Sequence, residues 1–293
     1  MRVTDRMIYD NASLWTGNAR SRVEAATEAA STGLRVLHPG DDPAAAGQVG
    51  VHQQAQARAE AIGKSVQTAS DELNSADGAL GAVGNAVARA RELAVQLSTN
   101  IYTAAQRAAA STEVIALLSE AIAALNVKVG NRYLFGGSKD SQPPFDSTGA
   151  YLGDTLVRRV EAAPGLLQDA SVRADVAAKG AGGGVDLLAT LQSLATALAA
   201  NDISGVQGTL DGLGRGTAQI AGARVAAGAD QSALDAAHSV ALAASTSEKS
   251  AVSRLEDADL VASATELQLA QRALEAALQA SMASFRLSLA TTK

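Results

Sequence analysis

Residues 62–101 read IGKSVQTASDELNSADGALGAVGNAVARARELAVQLSTNI. Stepping forward from Ile62 by four and three residues in turn lands on Val66, Ala69, Leu73, Ala76, Leu80, Val83, Val87, Ala90, Ala94, Leu97 and Ile101, all of them apolar. That spacing lays a continuous apolar stripe along one face of an α-helix and is the pattern of coiled-coil packing. An unbroken helix over this span would be roughly 60 Å long at 1.5 Å per residue. With one apolar face, it needs a partner helix.

The flanking sequence supplies partners. Ala104, Ala108, Ser111, Ile115, Leu118, Ile122, Leu125 and Val129 repeat the spacing, and the polar break from Asn100 to Thr103 predicts an antiparallel hairpin. A third series, Ile203, Val206, Leu210, Leu213, Thr217, Ile220, Arg224, Ala227, Gln231, Leu234, His238 and Ala241, keeps the phase but loses apolar identity. Glycines at 205, 208, 212, 214, 216, 222 and 228 each cost ~1 kcal/mol against Ala inside a helix, so they work against continuity there. The ends carry shorter seams: Ile8, Ala12, Trp15, Ala19, Arg22, Ala26 and Ala29 near the start, and Leu260, Ala264, Leu267, Gln271, Leu274, Leu278, Ser281 and Phe285 near the finish. Between the first two helices, Ser31-Thr32-Gly33 reads as a stop with Gly at the C-cap. Asp42 then reads as an N-cap with Pro43 in the first turn, which leaves Leu34 to Gly40 as a loop.

Only residues 133–184 break the helical pattern. Tyr133, Phe135, Phe145 and Tyr151 fall here, with Pro143, Pro144, Pro164, a β-favouring Thr155–Val160 and the glycine run 180–184. The reading is a small β-containing insertion in a helical bundle.

Composition narrows the function. Of 293 residues, 47% are hydrophobic, mostly alanine, and the aromatics are 3 Phe, 4 Tyr and 1 Trp, too little bulk for one large globular core. A balance of 24 basic and 30 acidic residues, net charge -6, argues against nucleic acid, whose phosphates are met chiefly by Lys and Arg. With no cysteine there is no disulfide, thiolate metal site or thiol nucleophile. The first ten residues lack the apolar core of a secretory signal, and no run approaches the ~20 uncharged apolar residues of a membrane span. Membrane insertion is not expected, and export would take another route.

No constellation points to catalysis, a metal or a cofactor. His38, His52 and His238 are scattered, with no ligand spacing. Asp41-Asp42 is explained by capping, and the Glu256, Asp257, Asp259 group by a solvated face or an intersubunit charge patch. Gly212-Leu-Gly214-Arg-Gly216 has neither the preceding strand nor the third glycine of a dinucleotide site, and no G-x-S-x-G elbow is present. Amphipathic helices coating a lipid surface are a competing reading, weakened by polar faces of mixed sign.

Three segments together resemble the bacterial flagellin superfamily. Ser31 to Ala46 (STGLRVLHPGDDPAAA) is similar to its S-[ST]-G-x-R-[VI]-x-x-x-x-D-D-P-A-x-A signature through Gly33, Arg35, Asp41, Asp42 and Pro43. Arg91-Glu92-Leu93-Ala94-Val95-Gln96 is similar to its R-E-L-A-V-Q segment, and Ser253 to Asp259, with Glu256, Asp257 and Asp259, resembles its S-x-I-E-D-A-D stretch. Gly130 to Gly137 with Pro143 to Phe145, carrying Tyr133, Phe135, Gly137 and Phe145, resembles the G-R-Y-[LI]-F-[AG]-G...P-F segment of members that join hook to filament.

The resemblance implies a non-catalytic structural subunit, secreted through flagellar type III export into the extracellular flagellum, with a filament subunit as the alternative. Its implied partners are copies of itself, neighbouring hook-associated protein and flagellin subunits, and an export chaperone. The fold expected is mainly α, an elongated antiparallel helical bundle or coiled coil with a small inserted β-containing domain. Terminal coiled-coil segments 1–43 with 255–293 would stay disordered until assembly, 44–132 with 186–254 would form a helical rod, and 133–185 a small outer domain. The assembly interface is expected on the terminal seams, at Ile8, Ala12, Trp15, Ala19, Leu260, Ala264, Leu267, Leu274, Leu278 and Phe285.

Overall fold

The computed structural model describes residues 5–291. In chain order the elements are helices α1 (Asp5–Thr32), α2 (Pro43–Leu97) and α3 (Ala104–Leu125), strands β1 (Lys128–Val129), β2 (Arg132–Tyr133), β3 (Arg159–Ala163) and β4 (Leu166–Asp169), then α4 (Ala174–Ala177), α5 (Leu187–Ala199), α6 (Ile203–Glu256) and α7 (Leu260–Thr291). The fold is mainly helical, and β1–β2 and β3–β4 are two small antiparallel hairpins. The chain divides into two compact units, one of residues 59–243 and one built from both ends, 1–58 and 244–293.

In the central unit the α2 stripe is the core. Every position of the 62–101 series from Ile62 to Leu97 is buried, whereas Ile101 is 86% exposed because α2 has already ended. Thr103 then starts α3 with a capping box: its hydroxyl accepts from the Gln106 amide while the Gln106 side chain accepts from the Thr103 amide.

The buried face of α3 is Arg107, Ser111, Val114, Leu118, Ile122 and Leu125, so the predicted Ala104, Ala108 and Ile115 sit outside it. Alanine stands at 104, 105, 108, 109 and 110, and a run so uniform does not fix which face turns inward. By length and composition α3 could cross a membrane, yet it carries Arg107, Glu113 and Glu120 and packs into the core through Val114, Leu118 and Leu125.

Helix α6 is continuous from Ile203 to Glu256, through all seven glycines. Val206, Leu213, Ile220, Ala227, Leu234 and Ala241 are all buried at seven-residue intervals, a strict heptad seam whose packing offsets the glycine cost. Two of the glycines have a packing role. A Cβ on Gly216 would lie 2.9 Å from Leu187 Cδ2, and one on Gly212 would lie 3.0 Å from Thr190 Cγ2. Their bare backbone lets α5 lie close against α6.

Residues 133–185 do not close on a core of their own. Leu134, Phe135, Phe145, Ala174, Ala177 and Ala178 are buried in the same core as α2, α3, α5 and α6. The β3–β4 hairpin pairs Arg159 with Asp169 and Val160 with Gln168, with an irregularity between Glu161 and Ala163. Its Val160 joins Ala170 against Ile62, Val66, Ala69, Leu73 and Leu234.

Candidate assembly surface

The end unit is organised by two turns from opposite ends of the sequence. Gly33 closes α1 in the left-handed conformation, φ +72°, with its amide on the Ala29 carbonyl at 3.0 Å, the αL form of helix stop. Asp42 caps α2, accepting from the Ala45 amide at 3.0 Å, and Asp259 caps α7, accepting from Val261 at 2.9 Å and Ala262 at 3.1 Å. Asp41 accepts from the amides of His38 (2.7 Å) and Leu37 (3.1 Å), folding the loop back on itself.

The two turns are stitched together. Leu34 and Asp257 form an isolated antiparallel bridge. The Arg35 amide donates to the Glu256 carbonyl at 2.6 Å, and the Ala258 amide to the Gly33 carbonyl at 2.8 Å. The Arg35 guanidinium donates from Nη2 to the Leu255 carbonyl at 2.8 Å and from Nη1 to Asp42 Oδ2 at 3.1 Å. Ser253 Oγ donates to the Asp257 carboxylate. Gly33, Arg35, Asp41, Asp42, Pro43, Glu256, Asp257 and Asp259, from two separate signature stretches, thus meet in one clasp. Hydrogen bonds hold the Asp41 carboxyl below its usual 3.8, chiefly from the His38 amide, and likewise Asp42, chiefly from the Ala45 amide and then the Arg35 side chain.

From the clasp α1 and α7 run antiparallel against each other. Ala12, Ala19, Ala26 and Ala270 are buried, with Thr16, Val23, Ala30, Ser263, Leu267, Leu274, Ala277 and Ser281 half-buried beside them. Of the predicted seam, Ala12, Ala19, Leu267 and Leu274 lie on this packed face. Trp15 (62% exposed), Leu260, Ala264 and Leu278 lie outside it, and the side chains of Ile8 and Phe285 are outside the described residues. The buried positions of this face are alanines, with Val23, Leu267 and Leu274 half-buried beside them, while Leu14, Trp15, Leu260, Val261, Leu269, Leu278 and Met282 face outward.

The remaining signature residues belong to the central unit. Leu93 is buried in the core while Arg91 and Glu92 are exposed on α2, lining a shallow groove with Val95, Gln96 and Thr217. Phe135 and Phe145 are fully buried, and the Phe145 ring lies 5.1 Å from that of Tyr151. Asn126 pairs with the Phe145 backbone in both directions, each bond 2.9 Å. Gly137 has φ +67°, and a Cβ there would overlap the Asp154 carboxylate at 2.0 Å. The Tyr151 hydroxyl sits against the carbonyls of Phe135 and Asp154, and burial, with Asp175 and Asp154 nearby, pushes it up to about 12.

Sequence reasoning missed three polar contacts. Buried Arg107 donates to the carbonyls of Leu97 (3.1 Å) and Thr99 and to Asn201 Oδ1 (2.7 Å), supplying donors at the carbonyl end of α2. Arg158 and Arg132 both reach the nearly buried Glu72. Arg224, counted in a seam, instead forks onto Asp77 at 2.8 and 2.9 Å. Among the described residues no group of three or more His, Asp or Glu could hold a metal ion.

Residues 3–140 match the family model described as the bacterial flagellin N-terminal helical region. Over those residues the chain is similar to flagellins. It is 31% identical over 155 residues to flagellar hook-associated protein 3 of Salmonella typhimurium, covering 52% of this chain and 49% of that protein. It is 29% identical over 171 residues to flagellar hook-associated protein 3 of Escherichia coli, covering 57% and 54%. The chain thus spans about half the length of the curated relatives it matches. A putative flagellar hook-associated protein from Vibrio parahaemolyticus shares its fold, with TM-score 0.67 and 19% identity over 74% of this chain and all of that one.

Proposed function

We propose that this chain is a structural, non-catalytic subunit of the bacterial flagellum that joins hook to filament and polymerises through α1 and α7. The observation that carries the reading is the set of large apolar side chains left exposed on the terminal helices, Trp15, Leu260, Leu269 and Leu278, beside a packed face whose buried residues are Ala12, Ala19, Ala26 and Ala270. A buried alanine methyl contributes about 0.8 kcal/mol, while ordering one residue's backbone costs about 1–2 kcal/mol. The Ala12, Ala19 and Ala26 seam falls short of ordering α1 alone, and neighbouring copies would cover the larger side chains. Segments 1–43 and 255–293 would stay disordered until assembly, and 44–132 with 186–254 would form the rod, into whose core Leu134, Phe135 and Phe145 of 133–185 pack.

The placement at the junction rests on the Phe135 to Phe145 segment and on two relatives that bear the name hook-associated protein 3. The chain would be secreted by type III export, accompanied by a chaperone, and would contact hook-associated protein and flagellin neighbours. Immunogold labelling of isolated flagella tests this. A narrow band where hook meets filament is the expected result; gold along the whole filament would make the chain a filament flagellin, and gold confined to the cell would end the flagellar reading.

A further inference from the structure

The end unit also holds the start of α2, up to Arg58, and the finish of α6, from Ala244. On this stretch of α2, Ala45, Val49, His52 and Gln56 are turned away from solvent, stepping by four, three and four residues, the seam spacing of a coiled coil. On α6 the buried heptad positions run from Val206 to Ala241, and seven residues further stands Glu248. A histidine and a glutamate therefore occupy places that most of both helices give to apolar residues. They meet there: His52 Nδ1 lies 2.6 Å from Glu248 Oε2, with the two side chains 35% and 30% exposed. Apolar residues are not lacking nearby. Val51 is 66% exposed and Leu242 61%, so the chain turns them out and the polar pair in.

The surroundings of the pair explain the choice. Residues 44–58 carry alanine at 44, 45, 46, 55 and 57 and glycine at 47 and 50, and residues 244–253 are mostly Ser, Thr and Ala. Side chains so small and alike interlock almost equally well after a slip of one heptad, so apolar packing selects the alignment only weakly. A slip of seven residues would set His52 against Ala241 or Leu255 and Glu248 against Ala59 or Ala45, leaving an imidazole and a carboxylate unmatched in a half-buried seam. We infer that His52 and Glu248 form a register pin, a polar pair kept in the α2–α6 seam at some cost in stability because it specifies one antiparallel alignment of the two helices. The pin belongs to the single chain and holds whatever the chain assembles into.

Electron paramagnetic resonance distances on the free full-length chain test the pin. The chain has no cysteine, so Gln53→Cys with Lys249→Cys puts one nitroxide on an exposed position of each helix with no competing label. With His52 and Glu248 in place, a single narrow distance is expected. His52→Leu with Glu248→Leu should keep or raise the thermal midpoint, since apolar residues replace a half-buried polar pair. It should also add a second distance population, because a one-heptad slip displaces the helices by about 10 Å along their axis. The exchanged pair, His52→Glu with Glu248→His, should restore the single distance. A broad distribution with His52 and Glu248 in place, an unaltered single distance in the double leucine variant, or no restoration by the exchanged pair would overturn the inference. So would a lowered thermal midpoint in the double leucine variant, which would make the pair an ordinary stabilising contact.

Discussion

Arg107 shows what a single side chain can hold. It is 2% exposed, and its guanidinium is the donor for two carbonyls past or at the end of α2 and for Asn201. Arg107→Ala leaves these buried acceptors unmatched and is expected to cost about 3–4 kcal/mol, measured as a fall in the urea midpoint of the chain. The residue was not legible in the sequence because an arginine among alanines looks like a solvent position, and its Asn201 partner lies 94 residues away. Gly33, Asp42 and Pro43 were legible, since a cap is a local bargain between a side chain and the next three amides. What stayed hidden was that these caps meet Glu256 to Asp259. Asp41 and Asp42 give that clasp an acid limit. Both carboxyls are held below 3.8 in the folded chain, so their contribution is present above that value and is lost as pH falls through the lower folded values. Protection of the Arg35 and Ala258 amides, taken against the intrinsic exchange rate at each pH, should therefore fall on acidification below about pH 3.8, and Asp42→Asn should flatten that dependence; an acid-insensitive clasp would refute it.

Among the elements, α2 is the one that sequence periodicity described best. Leucines and valines at alternate steps leave one choice of buried face, and each is worth about 1.5–3 kcal/mol when fully covered. The same rule gave α6 its correct phase but not its continuity, because helix propensity is a weak term against a packed heptad seam. The glycines of α6 divide into two kinds, and substitution separates them. Gly222 has open space around the position of a Cβ, so Gly222→Ala should stabilise the monomer by about 0.5–1 kcal/mol. Gly216→Ala must push Leu187 aside, and that cost should cancel most or all of the same gain. Paired thermal melts of the two variants check the difference; equal gains would mean α5 does not need the bare backbone. On α1 the alternate positions Ala12, Ala19 and Ala26 were correctly placed, but the sequence favoured Trp15 where Thr16 faces the seam. A large apolar residue is normally a core residue, and reading Trp15 so hides that it faces outward in the single chain.

At the scale of the whole molecule, the two compact units differ in what holds them. The central unit buries Phe135, Phe145 and a series of leucines within one chain, while the fully buried positions between α1 and α7 are alanines, beside half-buried Val23, Leu267 and Leu274 and a polar clasp. Trp15→Ala removes a side chain that is 62% exposed in the single chain, so monomer stability should stay within about 0.5 kcal/mol while incorporation into flagella drops. The composition already carried the contrast, with abundant alanine and few aromatics, but the sequence did not tell which small residues face a partner helix and which large ones stay exposed in the single chain. Hydrogen exchange of α1 and α7, compared between the free subunit and isolated flagella, tests the central claim most directly. The account predicts rapid exchange in both helices of the free chain and strong protection once assembled, with α5 and the 62–97 stretch of α2 protected in both states. Protection of α1 and α7 in the free subunit equal to that in the flagellum would contradict it.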